Sequence, residues 1–206
     1  MKLFDHRPIP IFPLPSVVLF PRIVQPLHIF EPRYLEMFTE ALDNQGRIAM
    51  ALLKPGFENN YFGSPEIHSV VSVGSIITYE ARDDGTYDVV LLGDKRARVE
   101  REIGGKIYRR GALDELEETS SGSREDRTNL RTNMEALLEA AIQDMKEENK
   151  GLALLQRSFA EESSFGFLVD FLAYHFIKDP EFQQSLLEEL DVSLRARNLL
   201  DALTTI

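Results

Sequence analysis

The chain has 206 residues and carries 23 Lys and Arg against 34 Asp and Glu, a net charge of −11. That length can bury a core as one large domain or two small ones, and 43% hydrophobic with 28% charged residues excludes wholesale disorder and a fibrous class. Cysteine is absent, so disulfide frameworks, cysteine-based metal sites and a thiol nucleophile are excluded together.

The start gives no sign of a secretory leader: Lys2, Asp5 and Arg7 stand where such a leader needs its apolar run. The uncharged stretch from Pro8 to Pro21 is broken by five prolines, which remove backbone donors and rule out a membrane-spanning helix. A soluble, cytoplasmic protein is the expectation. The acidic balance also argues against a whole surface built to grip nucleic acid or anionic lipid.

Seven of the ten prolines fall in the first 32 residues and 11 of the 12 glycines precede residue 152, which predicts strands and turns first and helices afterwards. Ile9-Pro10-Ile11-Phe12-Pro13-Leu14 should be extended, with its prolines confining it to an edge or a bulge. Val17–Phe20 reads as a second short buried run. Pro32 suits the first position of a helix, and Tyr34, Leu35, Phe38 and Leu42 recur at helical spacing until Asn44 and Gly46. Ile48–Leu53 follows as an apolar strand.

Val70–Glu80 and Tyr87–Leu92 flank Asp83-Asp84-Gly85, a hairpin signal because Asp-Gly tolerates positive φ. Gly93-Asp94 reads as another turn before Arg96–Glu100, and Gly104-Gly105 as one before Tyr108–Leu116. Six or seven short strands with one inserted helix suit a small barrel or a sandwich.

The polar run Thr119–Ser123 predicts a linker, dividing a β-rich part, residues 1–118, from a helical part, residues 119–206. In the second part Leu130, Met134, Leu137, Leu138, Ala141 and Met145 mark one amphipathic helix. Leu152–Phe159 marks a second and the richly apolar Phe165–Phe176 a third. Asp179-Pro180 should cap a fourth reaching Leu190, and Ser193 a last one through Leu203.

No phosphate-cradling glycine loop, no nucleophile elbow and no histidine pair at metal-ligand spacing occurs in the sequence. Neighbouring carboxylates such as Glu117-Glu118 and Glu161-Glu162 read as solvated surface rather than as an acid–base pair. No catalytic residue, metal or cofactor is therefore expected. Two features stand out. Pro26–Tyr34 places His28, Glu31, Arg33 and Tyr34 among apolar neighbours, either as helix-start structure or as the edge of a pocket. Lys95–Arg110 carries seven basic residues against two acidic ones. Arg96 and Arg98 share one strand face, and Arg109 lies further along. This strip reads either as a solvated face paired with acidic neighbours or as a patch for phosphate, nucleic acid or an acidic partner segment.

The order and spacing of Ile9–Leu14, Val18-Leu19-Phe20-Pro21 and Pro26–Tyr34 resemble the N-terminal domain of Lon proteases. The resemblance continues through Val73-Gly74-Ser75-Ile76, Asp84–Tyr87 and Leu92–Val99, and into Phe182–Glu188 and Arg195–Leu200. It implies an α+β fold: a PUA-like (pseudouridine-synthase-and-archaeosine-transglycosylase-like) β-barrel with one inserted helix, followed by a helical bundle. It also implies a role in recognising substrate or partner polypeptide, whereas the ATPase and protease modules of Lon have no counterpart in these 206 residues.

A non-catalytic polypeptide-binding module is the leading expectation, with the apolar, proline-rich N-terminal edge able to add strands. It would serve as an adaptor in protein quality control. Nucleic-acid binding through residues 95–110 and a small-molecule site using His28, Glu31 and Arg33 are the alternatives.

Overall fold

The computed structural model describes residues 7–61, 63–144 and 164–204. The chain divides into two compact units, Met1–Glu117 and Glu118–Ile206. The helix expected at Leu152–Phe159 lies outside the described residues. Among the described residues the elements are six strands and five α-helices, a mixed α+β fold, and no helix is long and apolar enough to cross a membrane.

Unit 1 holds β1 (Ile9–Leu14), β2 (Val24–Ile29), α1 (Pro32–Asp43), β3 (Arg47–Leu52), β4 (Val70–Ala81), β5 (Tyr87–Glu102) and β6 (Arg109–Glu115). The strand order is β2-β5-β4-β3-β1-β6, with an additional β5–β6 pairing. The 16-residue β5 makes this possible. Its first half lies between β2 and β4 and its second half pairs with β4 and then β6. Register shifts at Val73/Gly74 and Val99/Arg101 bend the ladders where the partner changes.

The proline-rich β1 is not an edge. It pairs in parallel with β3 and antiparallel with β6, the parallel pair being joined by a crossover that contains α1. Two prolines are tolerated because neither ladder runs the length of the strand. Pro10 precedes the β3 pairing, which begins at Ile11, and Pro13 follows the β6 pairing, which ends there. The segment is therefore not the free edge expected for strand addition. The outer strand is β2, and it is poor ground for addition too: Pro26 has no N–H and its carbonyl accepts the Gln25 side-chain amide at 2.8 Å.

Ile9, Ile11, Ala49, Ala51, Val71, Val73 and Ala97 form one buried cluster, small residues facing β-branched ones across the strands. Helix α1 begins at Pro32 as the sequence predicts and buries Tyr34, Met37, Phe38 and Ala41, with the Tyr34 ring 4.6 Å from that of Phe12. The Asp83–Gly85 turn is the expected hairpin, with Gly85 at φ 82° and Arg82 N–H donating to the Thr86 carbonyl.

Val18, Leu19 and Phe20 are buried, as the sequence suggests, in a loop outside the strands. One local reading is corrected. Gly93-Asp94 is not a turn: β5 runs through it. The Phe20–Ile23 loop crosses over Gly93, with Arg22 N–H donating to the Gly93 carbonyl and Gly93 N–H donating to that of Ile23. A Cβ on Gly93 would overlap the Phe20 carbonyl oxygen, so glycine is required there by close approach rather than by a turn.

Unit 2 holds α2 (Arg124–Asp144), α3 (Phe165–Phe176), α4 (Pro180–Glu188) and α5 (Val192–Thr204). Helix α3 buries every residue from Gly166 to Ala173 and forms the centre of the unit. Its C-terminal carbonyls, which have no partner within the helix, receive the buried Gln183 amide: Ile177 at 2.9 Å and Tyr174 at 3.2 Å. Asp170 and Arg195 are both buried, with Nε 3.1 Å from Oδ1 but off hydrogen-bond alignment. Arg195 also reaches Glu118 and donates at 2.7 Å to the Glu189 carbonyl.

The run Thr119–Ser123 is bound structure rather than a free linker. Thr119 N–H donates to the Leu190 carbonyl and Val192 N–H to that of Thr119. Ser121 N–H donates to the Asp191 carboxylate at 3.1 Å, and Ser123 caps α2 through Asp126 N–H at 3.0 Å. The cap of α5 is Asp191, which accepts from Ser193 N–H at 2.8 Å and Leu194 N–H at 3.2 Å. Ser193 itself lies inside the helix.

Candidate functional site

Three elements of unit 1 enclose a cavity of about 170 Å³: the first turn of α1, the loop from Leu53 to Pro65, and the β5–β6 turn from Ile103 to Tyr108. Its walls include Tyr34, Tyr61, Tyr108 and Ile107, and cationic side chains come from Arg33, Lys106, Arg109 and Arg110. Glu102 is the carboxylate in the lining.

Each cation is positioned by a neighbour. Arg33 Nε donates to Glu31 Oε2 at 3.0 Å, and its guanidinium lies 4.6 Å from the Tyr34 ring centroid and 5.6 Å from that of Tyr61. The Tyr61 hydroxyl donates to the other Glu31 oxygen at 3.2 Å. Arg109 forks onto Glu102, Nε at 2.8 Å, and also reaches the Pro65 carbonyl. Arg110 donates to the Gly104 carbonyl at 3.0 Å and lies 4.0 Å from Glu40. Lys106 lies 2.6 Å from Glu40 and 3.6 Å from Glu36.

The electrostatics follow from these pairs. Lys106 and the neighbouring Tyr108 hydroxyl hold the Glu40 carboxyl below its usual range, and Glu40 in turn raises Lys106. Burial pushes Tyr34 up to about 12, against the opposing pull of Arg33. Burial also raises Tyr61, assisted by Glu31, and Tyr108, assisted by Glu40. All three phenols are thus protonated at neutral pH, which makes them walls and donors rather than bases.

The cavity brings together three of the residues singled out in the sequence, Arg33, Tyr34 and Arg109, with Glu31 bonded behind Arg33. The others stand apart. His28 is exposed on β2, bonded to Asp88 at 2.8 Å and stacked on Phe30. Asp88 also receives Arg82.

Arg96 does not share a solvated face with Arg98. It is only 2% exposed, covered by the Phe20 ring, whose centroid lies 5.9 Å from its guanidinium, whereas Arg98 is exposed. Much of the basic strip is neutralised within the unit: Lys95 by Glu115, Arg109 by Glu102, and Lys106 by Glu40. Among the described residues no group of three or more His, Asp or Glu is placed to hold a metal ion.

Sequence reasoning missed Tyr61, Pro65, Lys106 and Ile107 as a set. The loop from Leu53 to Pro65 has no periodicity to betray it. The one available signal was Lys106-Ile107 directly after Gly104-Gly105, a long cation and an apolar side chain at a turn tip.

The model of the ATP-dependent protease La (LON) substrate-binding domain matches residues 8–205. The Lon protease of Desulfosudis oleivorans is 23% identical over 191 residues, 93% of this chain and 23% of that protein; the chain thus spans about a quarter of such relatives. Among solved structures, the N-terminal domain of the Mycobacterium avium complex Lon protease aligns with a TM-score of 0.73 at 18% identity, covering 95% of this chain and 97% of that one. The Lon N-terminal domain protein from Xanthomonas campestris aligns with a TM-score of 0.67 at 22% identity, covering 95% and 98%.

Proposed function

Because the chain belongs to the family of LON substrate-binding domains, we propose that it is a non-catalytic module that recognises polypeptide, acting as an adaptor in protein quality control in the cytoplasm. The observation that supports this most directly is the cavity itself. A hollow of about 170 Å³ with aromatic and aliphatic walls has room for one large side chain, since a cavity of about 150 Å³ takes benzene. Ile107, 63% exposed at its margin, offers apolar surface to the residues that would follow. In this reading the closed circuit of strand pairings in unit 1 is the small PUA-like barrel, and it serves as the rigid frame for the three segments around the cavity.

Nucleic acid is the less favoured partner. The net charge of −11 opposes it. Tyr108, the aromatic residue of the basic strip, is only 5% exposed and so not free to stack on a base.

The test is fluorescence polarisation of labelled, permanently unfolded casein titrated with the purified chain. Saturable binding in the micromolar range is expected, weakened by Ile107→Asp with the far-ultraviolet circular dichroism unchanged. An absence of saturable binding at high micromolar concentration overturns the proposal.

A further inference from the structure

Resting on that reading, we infer that the cavity takes the last residue of a polypeptide, with a large apolar side chain in the hollow and the free α-carboxylate among the cations at its rim. Four cationic side chains line the cavity against one carboxylate, Glu102. The remaining counter-charges sit behind the wall: Glu31 on Arg33, and Glu40 and Glu36 on Lys106. These carboxylates fix the cations in place without filling the space in front of them.

Donor accounting separates the roles. Arg109 forks onto Glu102 and also donates to the Pro65 carbonyl, three of its five N–H groups, so it chiefly buttresses the wall. Lys106 has three donors and two carboxylate neighbours, and its side chain is 33% exposed. It can therefore turn a proton towards an incoming anion. Among the described residues the carboxylate facing Arg110 Nη1 is Glu40, at 4.0 Å and beyond hydrogen-bond reach, and the Arg110 side chain is 23% exposed. Lys106 and Arg110 are thus well placed to receive a carboxylate, whereas Arg33 is tied to Glu31 and to the Tyr61 carbonyl.

Geometry favours a chain end over an internal acidic residue. In a C-terminal residue the α-carboxylate and the side chain branch from the same carbon, so a hollow that admits one side chain brings the carboxylate to its rim at once. An internal Asp or Glu carries its charge on a separate stem, and the chain must continue in both directions. The hollow is also too small for a second large side chain.

The test uses N-terminally labelled octapeptides, identical except for their ends: Phe with a free carboxylate, Phe carboxamide, and Gly with a free carboxylate. Polarisation with the purified chain should show the Phe acid binding at least about tenfold tighter than either of the others, the effect of a charge-assisted hydrogen bond to a desolvated carboxylate. Lys106→Glu should erase the acid–amide difference, and Ser64→Phe, which plugs the hollow from an exposed loop position, should abolish binding of the Phe acid. Circular dichroism verifies that both variants fold. Unfolded casein is titrated alongside. If casein binds while acid and amide bind alike, the inference falls and polypeptide recognition stands; if nothing binds, both fall. An acid–amide difference unmoved by the two variants places carboxylate recognition elsewhere and also overturns the inference.

Discussion

The Asp170 carboxylate lies 3.1 Å from Arg195 Nε, and these two side chains are 2% and 0% exposed. A buried pair of this kind adds little net stability compared with an apolar pair of equal shape, but breaking it strands a charge. Arg195→Met should therefore cost about 3–5 kcal/mol, measured by urea unfolding followed by circular dichroism. The double variant Asp170→Leu with Arg195→Met should recover most of that loss. Equal stability of the single variant and the parent would show that the pair is dispensable.

Gly93 carries the Phe20–Ile23 loop across β5 with no room for a side chain. Gly93→Ala is expected to cost about 1–3 kcal/mol, the range for overpacking a close contact, read as a lowered melting temperature. Gly85→Ala acts differently, through the strain of its φ of 82° alone, because nothing lies within 4 Å of a Cβ there.

Asp191 receives Ser121 at the start of unit 2 and caps α5, and these hydrogen bonds hold its carboxyl below the ordinary 3.8. A depressed carboxyl contributes stability that is present above the unfolded value and is lost as pH falls through the folded one. Acid unfolding should therefore steepen below about pH 4. Asp191→Asn should flatten that limb, at the cost of a weaker cap at neutral pH. A pH titration of urea midpoints for the two proteins decides it.

Tyr34, raised by burial to about 12, has the opposite sign. The unfolded chain releases this proton near the ordinary value of 10 while the folded one keeps it, so the folded state binds more protons between those values and stability falls as pH rises through them. Spectrophotometric titration should show late-ionising phenols, and Tyr34→Phe should remove one of them. A single transition near pH 10 for all six tyrosines would contradict the burial of this ring.

Those residues also mark how much was legible in advance. Helix α1 was readable because Pro32, the apolar spacing and Asn44 are local signals. The same holds for the Asp83–Gly85 hairpin and for α3, whose apolar run has no solvated face. Gly93 was misread because a Gly-Asp pair signals a turn unless another loop is known to cross it, and that loop is 70 residues earlier. Strand β2 was hidden by Pro26, and Ser193 was mistaken for the cap because Asp191 lies two residues before it. The site was half visible. Arg33 and Tyr34 stood out as polar groups in apolar surroundings, and Arg109 as a member of the basic strip. Their company with Tyr61 and Lys106, and the separation of His28, Arg96 and Arg98, follow from strand register and loop paths that no periodicity encodes.

Strand β1 also constrains how the protein is made. Ile9 pairs with Gly111, so its ladder cannot close until about a hundred further residues have left the ribosome, roughly 5–20 s of synthesis at ordinary elongation rates. Throughout that interval one side of an apolar strand waits without its partner, even after β3 has become available on the other. Pro10 and Pro13 deny it the unbroken run of donors on which aggregating strands depend, and the nascent chain is protected by the same two residues that the finished sheet accommodates at the ends of its ladders.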